Sequence, residues 1–111
     1  MKKLNEKEQA QVTGGYSSTM SREEIERHKG NPVDKYDGWE GNTYFFEYPG
    51  MNLIIGKLIK SYEDSETIYG TTIRHHDVLV IDTYIISGHG QEVGKIAQLN
   101  GDMYNMYEYI D

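Results

Sequence analysis

Four runs rich in Ile, Val, Thr and aromatic residues follow one another from Thr43 onward. They are Thr43 to Tyr48 (TYFFEY), Leu53 to Tyr62 (LIIGKLIKSY), Thr67 to Arg74 (TIYGTTIR) and Val78 to Ser87 (VLVIDTYIIS). β-Branched and aromatic side chains fit a pleated, half-buried surface. The polar breaks Pro49-Gly50, Glu63-Asp64-Ser65 and His75-His76-Asp77 are too short for the crossovers that parallel neighbours need. The pattern predicts an antiparallel sheet in which His75-His76-Asp77 is a polar hairpin tip. A fifth strand is expected within Glu92 to Leu99. Asn100-Gly101 signals a further hairpin, but Met103, Met106, Tyr107 and Ile110 also follow helical spacing, so the last ten residues stay open between strand and helix.

Upstream of Thr43 the composition turns polar. Ser21 and Glu24 have the spacing of a capping box, and SREEIERHK runs to Gly30-Asn31-Pro32, a C-cap glycine followed by a breaker. One short helix is expected there, with Ile25 as its single large apolar residue. The fold class is therefore α+β, mostly β: a flexible or helical leader, one short helix, then a small antiparallel β-sheet. The corresponding divisions are a leader over 1–15, a polar linker with the helix over 16–42, and a β-rich cargo over 43–111.

A chain of 111 residues accommodates one small domain. Its formal charge of −7 opposes a phosphate backbone, which excludes nucleic acid as a natural partner. The absence of cysteine rules out disulfides, thiolate metal sites, thiol nucleophiles and lanthionine bridges. The longest apolar run, Val78 to Ile86, is interrupted by Asp82 and is far short of the roughly 18 residues of a membrane span. Lys2 and Lys3 are not followed by the apolar stretch of a secretory signal peptide.

The N-terminus holds a more specific pattern. On a helix ending at Gly14-Gly15, the residues Met1, Leu4, Glu8 and Val12 fall within an arc of roughly 80°. A narrow apolar stripe that runs into two residues without side chains suits a partner that grips a helix in a groove and threads the extended glycines through a slot. From the chain's own composition, such a coincidence in any eligible register has a chance of roughly one in a thousand.

Residues 1–15 resemble the double-glycine leader peptides of Gram-positive bacteriocins and peptide pheromones. The resemblance implies export by an ABC transporter with a cysteine-protease domain, recognition through Met1, Leu4, Glu8 and Val12, and cleavage between Gly15 and Tyr16. Gln9 departs from the family, which has Leu or Met at that place. The implied protein is a bacteriocin-like precursor, not itself an enzyme and without a cofactor, synthesised in the cytoplasm and secreted after leader removal. Its cargo would act on an extracellular target.

Other features allow different readings. His75, His76 and Asp77, with His28 and His89, could offer metal ligands, but neighbours on an extended strand point to opposite faces. Gly88-His89-Gly90 with Gly94 is one residue too long for a dinucleotide fingerprint and reads as a β connection. Asp82 is expected on a solvent-facing side of its strand, or else paired with Arg74 or Lys57. Tyrosines at 44, 48, 62, 69, 84, 104, 107 and 109 suit either a recognition surface or a small aromatic core. An intracellular acidic binding module, such as an immunity or inhibitor protein, is the alternative function, and a small metal-dependent enzyme the third.

Overall fold

The computed structural model describes residues 20–66 and 70–111. Helix α1 spans Arg22–His28, and its boundaries follow from local chemistry. Ser21 Oγ accepts the Glu24 N–H at 3.2 Å, Glu23 and Glu24 sit in the first turn, and Arg27 and His28 sit in the last, complementing the helix dipole at both ends.

Among the described residues six strands follow: β1 (Lys29–Val33), β2 (Thr43–Tyr48), β3 (Asn52–Glu66), β4 (Thr71–Ile85), β5 (Ile96–Asn100) and β6 (Asn105–Tyr109). They form one antiparallel sheet in the order β1-β6-β2-β3-β4-β5. Its spine is the β3–β4 hairpin, two strands of 15 residues each.

The sheet buries both faces. Tyr44, Phe46, Ile54, Leu58, Val78, Val80, Leu99 and Met106 form the larger cluster, on what we call the core face. The connection between β1 and β2 closes over it, bringing Gly38 against Met106 and Leu58. On the opposite, helix face, Ile25 of α1 packs with Phe45, Leu53 and Ile55, flanked by Met20, Tyr84, Tyr107 and Tyr109. Phe45 and Phe46 are both fully buried because neighbouring residues of a strand alternate between the two faces.

Two bulges keep this sorting in phase. Ile55 pairs with Asp82 but Gly56 with Val80, and Leu58 pairs with Val78 but Lys60 with Asp77, so Ile81 and Ile59 are extra residues. Both are exposed. The Ile81 bulge turns Thr83 to the core face opposite Ile54 and Asp82 to the helix face opposite Ile55.

Asp82 therefore departs from expectation. It is buried rather than solvent-facing, and its Oδ1 accepts the Thr83 N–H at 2.8 Å. Arg74, suggested as its partner, pairs with Glu63 at 2.9 Å instead. The predicted hairpin tip at His75-His76-Asp77 is also corrected. Those residues lie inside β4, which runs unbroken from Thr71, within the first of the two runs expected as separate strands, into the second; Thr67, Ile68 and Tyr69 of the first run lie outside the described residues. Within the stretch expected as linker, Lys29–Val33 is a sheet strand, and the last ten residues resolve in favour of a strand, β6.

Candidate binding site

The connection from Val33 to Thr43 is not a loose loop. Asp34 Oδ1 accepts the Tyr36 N–H at 2.9 Å, and the Asp37 N–H bonds to the Asp34 carbonyl at 2.9 Å, which closes a tight turn. Beyond it, the Trp39 N–H donates to Tyr44 Oη at 2.8 Å, and the chain pairs with β3 through Gly41 N–H to Leu58 O (2.6 Å) and Leu58 N–H to Asn42 O (2.9 Å). The Ser61 N–H donates to the Glu40 carboxylate at 3.3 Å. The backbone is thus fixed to the sheet on both sides of Trp39.

On this pinned segment the chain displays its single Trp, 73% exposed, and Tyr36, 50% exposed. Tyr36 is held from below by two cations: Arg74 lies 4.6 Å and the Lys35 ammonium 5.6 Å from its ring centre. Each cation is itself fixed, Arg74 by Glu63 and Lys35 by Asp102. The hydrogen bond to Asp102 raises the Lys35 pKa and keeps the ammonium charged. Trp39 borders a cleft of about 620 Å³ lined by Asp37, Asn42, Thr43, Glu108 and Asp111 beside Val33 and Tyr44. Rigid aromatic side chains offered without ordering cost are the usual anchors of recognition surfaces. Neither Tyr36 nor Trp39 stood out in the sequence reading. The available signal was an aromatic residue between turn-formers in a polar stretch, Asp37-Gly38-Trp39-Glu40-Gly41.

The residues considered as metal ligands are divided by the strand. His76 lies on the core face, buried to 1%, while His75 and Asp77 lie on the helix face. His75 packs its ring against Tyr62 and approaches Asp64 at 3.9 Å. Among the described residues no three His, Asp or Glu side chains gather in a way that could hold an ion. Gly88 and Gly94 take positive φ in the β4–β5 connection, which leads into a strand rather than a helix.

His76 Nδ1 lies 2.8 Å from Ser61 Oγ, a serine–histidine pair in distance only. The imidazole is sealed between Phe46 and the sheet, and Nε2 has no hydrogen-bond partner, so no acid orients the ring as nucleophile activation requires. Burial, reinforced by Arg74, His75 and Lys35, lowers the His76 pKa from 6.5 to about 4. Below pH 6.5 the unfolded chain gains a proton that the fold refuses. The His76 contribution to stability is therefore present above about pH 6.5 and is lost progressively, by about 3 kcal/mol, as the pH falls to about 4. Urea unfolding of the parent and of His76→Gln at stepped pH values measures this. The parent should lose more stability over that interval, and equal slopes would refute the assignment.

The leader residues Met1, Leu4, Glu8, Val12, Gly14, Gly15 and Tyr16 lie outside the described residues. No helix among the described residues is long and apolar enough to cross a membrane. Comparison with protein-family models, with curated proteins and with solved structures returned no match.

Proposed function

We propose that this chain is a bacteriocin-like precursor whose residues 1–15 are bound by the cysteine-protease domain of an ABC exporter. Cleavage follows Gly15, and the acidic domain from Tyr16 to Asp111 is exported. The observation that carries this reading is the coincidence of Leu4, Glu8, Val12, Gly14 and Gly15 in one helical register ending in two residues without side chains.

The leader carries three Lys and two Glu, so its removal leaves 8 basic and 16 acidic side chains and a formal charge of −8. A domain of that charge is repelled by anionic lipid, the opposite of the cationic amphipathic peptides that bind membranes electrostatically. Its action in this reading is recognition of an extracellular target, with Trp39 and Tyr36 as the anchors. Intact-mass analysis after incubation with a double-glycine peptidase domain tests the export step, and a chain left uncut defeats it. The recognition step is tested with Trp39→Ala. Because the indole is exposed, this change should leave the thermal midpoint within about 2 °C of the parent. It should also cut binding of the released domain to sensitive cells at least roughly tenfold. Undiminished binding would place the recognition surface elsewhere.

A further inference from the structure

The two edges of the sheet are built differently. Edge strand β1 contains Pro32 and an irregularity between Lys29 and Pro32, both devices that stop a further strand from adding. Edge strand β5, IAQLN, has no proline, no bulge and no charge. In a chain of net charge −7, residues 93–101 contain no acid at all.

The phase of the β4–β5 ladder says which groups of β5 are open. The Val80 N–H donates to the Lys95 carbonyl at 2.9 Å, and the Gly101 N–H donates to the Arg74 carbonyl at 2.7 Å. These bonds bracket the strand, so Ala97 and Leu99 turn their backbone groups toward β4, while Ile96, Gln98 and Asn100 turn theirs outward. Among the described residues no strand pairs with that outer edge. Ile96 is 63% exposed there, beside its cross-strand neighbour Leu79 and the bulged Ile81.

We propose that β5 is a self-pairing edge, by which two copies of this chain join β5 to β5 antiparallel about a two-fold axis at Gln98. The arrangement is self-complementary, as a two-fold interface must be. Gln98 faces Gln98 of the second copy, Ile96 faces Asn100 and Ala97 faces Leu99. The outward backbone groups of Ile96, Gln98 and Asn100 bond one another, and the two sheets become one. Charge permits the pairing, because in a chain of net charge −7 the facing residues 95–101 of the two copies bring no acid against acid. A parallel arrangement would set Lys95 against Lys95.

The chain contains no cysteine, which makes the register directly testable. Directly opposed residues of antiparallel strands lie within the Cα separation a disulfide spans. Gln98→Cys in the full chain should therefore give, under mild oxidation, roughly tenfold more covalent dimer than Ile96→Cys or Asn100→Cys. Light scattering of the unmodified chain should show a mass rising with concentration from 12.8 kDa toward twice that value. Ile96→Lys, an exposed site whose change leaves the core intact, should shift that rise to higher concentration. A chain that stays monomeric at millimolar concentration, or cysteines at all three positions that cross-link equally, would overturn the proposal. The first result would leave the edge open to an extended segment of another protein.

Discussion

Replacing Gly15 with Val is expected to abolish release of a product beginning Tyr16-Ser17-Ser18 when the full chain is incubated with a double-glycine peptidase domain. A slot narrow enough to select for the absence of a side chain cannot admit a β-branched one. Leu4→Ala and Val12→Ala should each slow cleavage more than roughly tenfold at low substrate concentration, since truncating an anchor in an apolar groove costs about 2 kcal/mol. Gln9→Leu should accelerate it by adding apolar area beside Glu8, at the place where leaders of this type have Leu or Met. The four variants together separate groove recognition from an accidental Gly-Gly. Sequence-tolerant proteolysis would cut all of them alike, and a Gln9→Leu chain cut more slowly than the parent would show that the stripe is assigned to the wrong arc.

The sheet was legible in the sequence because its runs of Ile, Val, Thr and aromatic residues are strand-like on their own. What misled was polarity inside a strand. His75-His76-Asp77 has the composition of a turn, yet each side chain has a place in the ladder. His76 reaches Ser61 on the core face, and His75 packs on Tyr62 on the other. Strand β1 was hidden for a related reason: Gly30-Asn31-Pro32 signals a break, and β1 holds its proline because it is an edge strand with an irregularity before Pro32. In β6 the helical spacing of Met106, Tyr107 and Ile110 was deceptive because this sheet buries both faces. Met106 belongs to the core face and Tyr107 to the helix face, so apolar residues are adjacent instead of alternating. The Trp39 cleft could not have been read at all. It is assembled from residues near 40 and near 110, brought together by the β2–β6 pairing.

Gly56→Ala should destabilise the domain strongly, although it adds only one methyl group to a strand. Gly56 sits on the core face of β3, opposite Val80 and beside the Ile81 bulge. A Cβ there would overlap Val78 Cγ1 and stand 3.1 Å from the Leu79 carbonyl oxygen. Val78 is fully buried and packed into the larger cluster, so it cannot swing away without displacing its neighbours. Forcing a methyl into such a site costs about 1–3 kcal/mol, and for a domain this size each kcal/mol lowers the thermal midpoint by about 4–8 °C. The cause can be isolated by a double-mutant cycle. Val78→Ala alone leaves a cavity and destabilises, but combined with Gly56→Ala it vacates the volume the new methyl needs. The double variant should be more stable than the sum of the two losses by more than about 1 kcal/mol. Additive losses would mean that Gly56 is needed for its backbone conformation and not for the room it leaves to Val78. Its φ is not positive, which argues against that outcome and places the constraint in side-chain packing at the bulge.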